Sequence, residues 1–256
     1  MSDPLVSAIE FEVHGYDCGY GGALRPFALV NFLQEAAGIN ATVLGIGMDD
    51  LHGRGQTWML SRLELRADAL PSEGDRVIVR TWPAGAKKLF AMRALDMRRP
   101  DGSSLVRAVY AYLVVDVEAR RPLRPDHVFG GQMPCSPEGL PIPDYSFDIP
   151  GAEASVVSFT QRVRGRHIDY NGHANNAHLI NWLVDAAMPE GQRRELFSLR
   201  VEFAAEALEG DELDATYGPA DGPSVAPCQG VEYLTTELRR GDLKVAAALV
   251  GFKKES

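Results

Sequence analysis

Apolar positions along the chain form two patterns, one typical of a helix and one typical of strands, and both occur twice. In the first half, residues 27–37 are apolar on nearly every side, Pro26 suits a first helical turn, and Gly38 is a candidate C-terminal cap. A helix that is apolar all round is expected to be buried. The second half predicts another helix over about 176–188, closed by Pro189.

Each predicted helix is followed by strand-like runs rich in β-branched and aromatic residues. In the first half they are "QTWMLSRLELRA", "DRVIVRTWPA", "LFAMRALDMRR" and "SLVRAVYAYLVVDV", with "RPDGSS" as a hairpin turn. In the second half they are "LFSLRVEFAAEAL", "DELDATYGPA", "CQGVEYLTTELRR" and "DLKVAAALVGFKK", with "RRGD" as a turn. One helix followed by several antiparallel strands, twice, predicts an α+β fold in which each sheet curls around a buried helix.

The two halves also match residue by residue, which indicates a duplication. "GGALRPFALVNFLQEAA" and "NGHANNAHLINWLVDAA" pair Asn31 with Asn181. Further on, "RLELRADALPSEGD" matches "RVEFAAEALEGD" with a two-residue gap, and this alignment places Glu206 opposite Asp68.

The segment 130–155 is rich in Pro and Gly and follows neither period, so it is predicted to link the two repeats. The expected domains are therefore 1–129 and 156–256.

Charge and composition narrow the function classes. Apolar residues make up 45% and charged residues 24%, as in ordinary globular proteins. The formal net charge of −9 and the pI near 5.2 argue against broad binding of nucleic acid. An acidic partner would have to meet a local basic patch.

Cysteine usage and hydropathy predict a reduced, cytoplasmic protein. Cys18, Cys135 and Cys228 are odd in number and widely spaced, which fits neither a disulfide framework nor a zinc motif. The first residues lack the pattern of a secretory leader, and no apolar run has the length of a membrane span.

The stretch "RHIDYNGHANNAHLINWL" runs from a polar cluster into the second predicted helix. In an extended chain Asp169, Asn171 and His173 would face one side. Asn175 or Asn176 would cap the helix, whose N–H groups favour an anion or a developing oxyanion. This set suits carbonyl chemistry.

Other roles are open for the same residues. The two asparagines can be only a cap, a histidine near a helix start is often a hydrogen-bonding residue, and a metal site has no recognisable ligand spacing. The metal alternative would involve His167, Asp169, His173 and His178. The first repeat, however, carries no such polar set, so folding alone does not require it. Its residues at these places are Gly19, Gly21, Ala23, Arg25 and Pro26.

Glu206 is a further candidate carboxylate, although its side chain is expected to point in an unfavourable direction. Strand alternation turns its side chain away from its own helix unless a bulge intervenes, so a solvated strand charge is the alternative.

The segment "DYNGHANNAHLINWL" resembles the signature Asp-x-Asn-x-His-x-Asn-Asn of the acyl-acyl-carrier-protein (acyl-ACP) thioesterases, and "LRVEFAAEAL" and "TWPAG" extend the likeness. The resemblance implies a double (tandem) hotdog fold. It also implies hydrolysis of fatty acyl-ACP to free fatty acid and holo-ACP, in fatty acid biosynthesis, without metal or cofactor.

Carried over by position, the resemblance assigns the site residues. The catalytic set is Asp169, Asn171, His173 and Glu206, with Asn175 and Asn176 binding substrate. Ala207 stands where plant members have a cysteine, so water, or alternatively a carboxylate, is the expected nucleophile.

The resemblance places the acyl chain between helix and sheet of the first repeat. Candidates to line this slot are Phe27, Val30, Met59, Trp82 and Met92. An acidic carrier protein with its phosphopantetheine arm would dock on a basic edge, for which Arg162, Arg164 and Arg166 are the preferred set. The other basic clusters are Lys87 with Lys88 and Arg120 with Arg121.

Two rival functions stay open. One is hydrolysis of acyl-CoA, and the other is a non-catalytic module that binds acyl thioesters. A duplicated hotdog is expected to act as a monomer or a homodimer.

Overall fold

The computed structural model describes residues 3–152, 154–188, 194–222 and 230–254. The chain divides into two compact units, Met1–Leu63 with Asp68–Pro143, and Glu64–Ala67 with Asp144–Ser256. The main division falls inside the segment predicted to be a linker. The grouping of four residues from a first-half strand with the second unit was not predicted.

The first unit contains one long helix and an antiparallel sheet. The helix is α1 (Pro26–Val43), and α2 (Met48–His52) and α3 (Pro125–Val128) are short. The strands are β1 (Ser7–Glu12), β2 (Gln56–Ala67), β3 (Arg76–Lys87), β4 (Phe90–Arg98), β5 (Ser104–Asp116) and β6 (Arg121–Leu123). Their order is β1-β3-β4-β5-β2, with β6 paired to β5. The predicted hairpin between β4 and β5 is confirmed, and Gly102 supplies the positive φ of its turn.

Helix α1 is longer than predicted, because Gly38 is an interior residue and not the C-terminal cap. The helix continues to Val43 and ends at Leu44. Beyond Gly38 the helix is anchored by Asn40, which is fully buried and donates to the carbonyl of Leu5 and the hydroxyl of Ser7. An interior glycine costs about 1 kcal/mol relative to alanine, and this anchoring offsets it.

The second unit repeats the design with a shorter helix. It contains β7 (Val156–Arg162), α4 (Asn176–Ala186), β8 (Leu196–Phe203), β9 (Glu212–Pro219), β10 (Val231–Arg240) and β11 (Leu243–Lys253). The strand order is β8-β11-β10-β9-β7. Along α4 the buried side chains include Leu179, Ile180 and Leu183. Pro189, the predicted helix stop, and Cys228 lie outside the described residues.

Strands β1 and β7 were not predicted, and both lie at the edge of their unit's sheet. Each is followed by a three-residue 3-10 turn and then by the central helix. The residues entering each helix form matching isolated bridges, Cys18 with Leu24 and Ile168 with Ala174. The duplication therefore extends upstream of the helices. Across the ranges described above, no helix has the length and apolar character needed to cross a membrane.

Candidate active site

The polar cluster forms a tight turn in front of α4 and not an extended strand. The Asp169 N–H donates to the His173 carbonyl at 2.9 Å, and the Gly172 N–H donates to the Asp169 carbonyl at 3.0 Å. Gly172 has φ +84°, which a residue with a side chain rarely adopts. The prediction that alternate residues face one side is therefore wrong, because residues 170–172 form the tip of a turn and Asn171 is exposed there.

The Asp169 carboxylate holds this turn through main-chain N–H groups. Its Oδ1 accepts from the N–H of Asn171 at 2.8 Å and from the N–H of His173 at 3.4 Å. A carboxylate that bonds the backbone two residues ahead is a recurrent turn-forming device. Asp169 thus fixes the position of His173 without contacting its ring through a hydrogen bond.

The start of α4 confirms the predicted cap. Asn175 is the N-cap, and its side-chain oxygen accepts from the Ala177 N–H at 2.9 Å. Its own N–H donates to the carbonyl of His167 at 2.9 Å. The next N–H, that of Asn176, bonds to no acceptor in the part of the chain that the structure describes. One helix-start N–H is therefore available to a ligand.

Glu206 reaches this site because β8 ends early. The strand stops at Phe203, and the N–H groups of Ala204 and Ala205 both donate to the Val245 carbonyl, at 2.9 and 3.1 Å. Two successive residues opposite one partner make a bulge, which resets the alternation of side chains. As a result, Oε2 of Glu206 lies 3.3 Å from Nε2 of His173. The sequence analysis required a bulge if Glu206 was to be catalytic, and the structure contains this bulge.

Both members of this pair are open to a substrate. The side chain of His173 is 36% exposed and that of Glu206 is 48% exposed. The pair lies on loops that are tied together, since the N–H of Ala174 donates to the Ala207 carbonyl at 2.8 Å. This single bond joins the residue after the histidine to the residue after the glutamate.

The same bond exists in the first unit, between the Leu24 N–H and the Pro71 carbonyl, at 2.8 Å. Leu24 is thus the counterpart of Ala174, and Pro71 is the counterpart of Ala207. The residue before Pro71 is Leu70, which therefore corresponds to Glu206.

The predicted alignment of Glu206 with Asp68 is accordingly wrong. The Asp68 N–H donates to the Leu105 carbonyl, as that of Ala204 does to Val245, so the gap between the repeats lies upstream of these residues. At the positions of the acid–base pair the two units therefore differ in chemistry. Where the second unit has a histidine and a glutamate, the first has Ala23 and Leu70.

The sequence comparison pairs Pro26 with Asn176, but the consequence of this pairing for the helix-start N–H was missed. The first unit has Pro26 at the position of Asn176, and proline carries no N–H. The first unit thus lacks the free helix-start donor as well as the acid–base pair. This pairing of Pro26 with Asn176 could have identified the donor from sequence.

The other two histidines of the stretch pack together behind the site. His167 is buried, and its ring lies 4.9 Å from that of His178 and 5.0 Å from that of Trp182. Its Nδ1 accepts from the Arg164 N–H at 3.1 Å. Burial lowers the pKa of both His167 and His178, with nearby positive charge adding to the effect. Neutral rings are favoured at both positions.

No group of three histidine, cysteine or carboxylate side chains within the described ranges could hold a metal ion. The alternative metal set breaks up in space, because His167 packs on Trp182 whereas His173 pairs with Glu206. The two described cysteines, Cys18 and Cys135, belong to the first unit, and Ala207 is buried.

The slot candidates lie in different surroundings within the first unit. Val30 is fully buried on α1 and Phe27 is half-buried on the same helix, whereas Met59 is 41% exposed. Met92 follows Ala91 and precedes Arg93, whose side chain contacts α1, so alternation turns Met92 to the other face of the sheet. Trp82, buried, donates from Nε1 to the Gly139 carbonyl at 2.7 Å. Met92 therefore does not line a slot between α1 and the sheet, and the role of the other four in binding a chain stays a prediction.

The three arginines of the predicted docking edge lie around the 3-10 turn before the site. Arg164 and Arg166 are exposed, and Arg162 is 3.6 Å from the carboxylate of Glu212, also at the surface. Surface ion pairs of this kind hold an arginine only weakly. All three cations can therefore meet an acidic partner.

Comparison with known proteins assigns the family. The sequence model of the acyl-ACP thioesterase N-terminal domain matches residues 4–128, and that of the C-terminal domain matches residues 152–241. A palmitoyl-acyl carrier protein thioesterase of Cuphea hookeriana chloroplasts is 26% identical over 221 residues, covering 80% of this chain and 53% of the relative. The chain thus spans about half the length of that curated relative.

Solved structures agree on the fold. An acyl-ACP thioesterase from Bacteroides thetaiotaomicron superposes with a TM-score of 0.82 at 23% identity, over 97% of this chain and 98% of the other. A protein from Lactobacillus plantarum named as a putative oleoyl thioesterase superposes with a TM-score of 0.81 at 18% identity, over 98% of this chain and 97% of the other. The fold is the double hotdog, and the two family matches together cover most of the sequence. The chain belongs to the acyl-ACP thioesterase family.

Proposed function

We propose that the protein hydrolyses the thioester of fatty acyl-ACP and releases free fatty acid and holo-ACP. The observation that carries the proposal is the His173–Glu206 pair, 3.3 Å apart and partly exposed, with His173 three residues before Asn176, whose N–H starts α4 without an acceptor among the described residues. Thioester hydrolysis needs a base for water, a donor for the oxyanion and a proton for the leaving thiol. These groups can supply all three. The names of the family's relatives support the choice of acyl-ACP.

In the proposed reaction the oxygen of a water molecule attacks the thioester carbonyl carbon. The pair of His173 and Glu206 takes the water proton, and the carbonyl oxygen becomes an oxyanion. The oxyanion accepts a hydrogen bond from the Asn176 N–H. The carbon–sulfur bond then breaks, and the proton held by the pair passes to the thiolate. A base of this kind contributes about 10²- to 10⁴-fold to the rate.

Asp169 and Asn175 hold these groups in place. Asp169 binds the main-chain N–H groups on both sides of the turn that carries Asn171 and His173. Asn175 satisfies the Ala177 N–H and leaves that of Asn176 for the substrate. Water is the nucleophile in this scheme, because the position next to Glu206 is Ala207 and offers no thiol.

The carrier protein is proposed to dock on the edge formed by Arg162, Arg164 and Arg166. Arg164 and Arg166 lie within a few residues of the catalytic turn, so a carrier bound there would deliver its phosphopantetheine arm over a short path. The attraction of three arginines for an acidic partner raises the association rate and weakens with salt.

The proposal is tested by measuring thiol release from acyl-ACPs of graded chain length and from the matching acyl-CoAs. The expected result is turnover with a higher kcat/KM on acyl-ACP. A higher kcat/KM on acyl-CoA would assign the protein as an acyl-CoA thioesterase, and binding without thiol release would assign it as a non-catalytic module. Either result would overturn the proposal.

A further inference from the structure

Arg93 of β4 is a buried cation with no carboxylate partner among the residues that the structure describes. Only 6% of its surface is exposed. Its Nη1 donates to Asn40 Oδ1 of α1 at 2.6 Å and to Thr81 Oγ1 at 3.3 Å, both neutral acceptors. None of the described carboxylates lies within ion-pair distance. Burial lowers the pKa of the guanidinium, as expected for an uncompensated charge. Buried charges in proteins are normally paired, so this one requires an explanation.

A second polar group without a partner lies next to Arg93. Tyr110 of β5 is its direct cross-strand neighbour, so the two side chains share the face of the sheet that contacts α1. Tyr110 is fully buried, and its hydroxyl has no hydrogen-bond partner within the described ranges. Buried hydroxyls are almost always paired. The interior of the first unit thus holds a guanidinium without an anion and a phenol without an acceptor on the same face.

The second unit shows that the fold does not require these groups. The β10–β11 hairpin has the same register shift near its turn as the β4–β5 hairpin. Counting back from that shift, the pair equivalent to Arg93 and Tyr110 is Leu234 and Val250. Both of these side chains are buried and apolar. The first unit therefore has a polar pair at the place where the second unit has an apolar one.

The surroundings of the polar pair are apolar on one side. Tyr112, two residues along the same face, has its ring 6.2 Å from that of Tyr110. Burial raises the pKa of Tyr112 to about 12, so its hydroxyl stays protonated. Tyr112 also packs against an apolar cluster. That cluster comprises Ala41, Ile46, Leu51, Ala91, Val114 and Met133.

From this arrangement we infer that the Arg93 guanidinium and the Tyr110 hydroxyl form a subsite for the carboxylate of an aliphatic chain held between α1 and the sheet of the first unit. The guanidinium offers further N–H donors in a planar array that matches a carboxylate, and the phenol offers one more. An anion compensates the buried charge, and the neighbouring apolar cluster suits the hydrocarbon. A purely hydrocarbon ligand would leave the charge of Arg93 uncompensated and the Tyr110 hydroxyl unpaired.

The inference rests on the proposed function only in taking an aliphatic chain as the occupant. Two sources supply a carboxylate on such a chain. One is a fatty acid product bound carboxylate-first, which would act as an inhibitor. The other is an acyl-ACP whose chain ends in a second carboxyl group, which would be a preferred substrate. Both use the same contacts with Arg93.

The first experiment is calorimetric titration of the full-length protein, without any thioester, with saturated fatty acids and with primary alcohols of equal chain length. We expect the acid to bind about 10- to 100-fold more tightly than its alcohol, as is typical of a hydrogen-bonded charge pair. Equal affinities of acid and alcohol, or binding of neither, would overturn the inference that the fatty acid product binds at this subsite.

Two variants test whether the preference for fatty acid over alcohol depends on Arg93. Arg93→Met fills the volume without charge, and Arg93→Gln keeps a donor for Asn40, so at least one is expected to fold. Both should bind acid and alcohol about equally. Arg107→Met removes a partly exposed arginine of β5, paired with Asp68, and should keep the preference of the wild type. An acid preference that survives both Arg93 changes would refute the assignment.

The second experiment compares kcat/KM for an acyl-ACP with a terminal carboxyl group and for its methyl-ended counterpart. A preference for the carboxylated chain that Arg93→Met abolishes identifies the substrate as the source. If neither this preference nor tighter binding of fatty acid is found, the subsite does not exist. Activity on ordinary acyl-ACP would be unaffected by that result, so the subsite and the proposed function fail separately.

Discussion

Nε2 of His173 lies 3.3 Å from Oε2 of Glu206, although the two residues come from different elements separated by a helix and a strand. His173 closes a turn that enters α4, and Glu206 follows the bulge after β8. One main-chain bond, from Ala174 to Ala207, ties the two loops together. The relationship depends on backbone structure that the first unit also has, and only the side chains differ. The two units therefore share one backbone frame, and only the second carries the acid–base pair.

Replacing Asn176 by proline copies the first unit, in which Pro26 begins α1. Proline fits the first helical position, and the preceding residue Asn175 already has an extended backbone that proline accepts. The fold should be retained, whereas kcat should fall about 10²- to 10³-fold because an oxyanion donor is lost. The matched control, Asn176→Ala, keeps the N–H and should stay within a few-fold of wild type. Full activity of the proline variant would show that this N–H has no part in the reaction.

The turn that carries His173 should depend on an acceptor at position 169 and not on its charge. Asp169→Asn keeps an oxygen for the N–H groups of Asn171 and His173, and Asp169→Ala removes it. We expect the alanine variant to lose at least about tenfold more kcat than the asparagine variant. Steady-state kinetics on one acyl-ACP decide the matter. Equal and large losses in both would point to a role for the negative charge.

Stability should fall as the pH drops below about 6.5, the ordinary pKa of histidine. Burial lowers the pKa of His167, so the unfolded chain binds more protons than the folded chain in this pH range. The free energy of unfolding therefore decreases as the pH falls. Protonation would also remove the acceptor used by the Arg164 N–H.

His167→Asn keeps an acceptor for that N–H and does not titrate. Its melting temperature should therefore decline less than that of wild type between roughly pH 7.5 and 5.5. The exposed His127→Asn serves as the control and should follow wild type. Identical curves for all three proteins would exclude His167 as the source of the pH dependence.

The docking edge predicts a salt-dependent KM. Arg164→Glu reverses a charge beside the site and should raise the KM for acyl-ACP about 3- to 10-fold at low salt, with less effect at high salt. The kcat on a small acyl-pantetheine substrate should be unchanged, because it has no carrier protein. Arg99→Glu, at the tip of the β4–β5 hairpin, is the matched reversal and should leave KM unaltered. Equal KM values for the Arg164 and Arg99 variants would move the docking site elsewhere.

The sequence predicted the repeated order of helix and strands because each element carries a strong period of its own. It missed β1 and β7, since single edge strands of six and seven residues give a short pattern with no neighbour to confirm it. It ended α1 too early at Gly38, because the tertiary bonds of Asn40 that hold the last turns are not visible in local propensity.

The residues of the site were predicted more accurately than their arrangement in space. Asn175 as cap follows from local chemistry and was found. The bulge that brings Glu206 to His173 depends on where β8 stops against Val245, a long-range feature that alternation alone cannot supply. The turn at Gly172 likewise replaced the extended chain that the spacing of Asp169, Asn171 and His173 favoured.

The account's central claim is that His173 and Glu206 act as one acid–base unit, and a double-mutant cycle on kcat for acyl-ACP hydrolysis tests it most directly. His173→Ala and Glu206→Gln should each lower kcat about 10²- to 10⁴-fold with unchanged melting temperatures. The double variant should be no slower than the worse single variant, because groups that act as a unit are not additive. Losses that multiply in the double variant, or near wild-type kcat in either single variant, would contradict the claim.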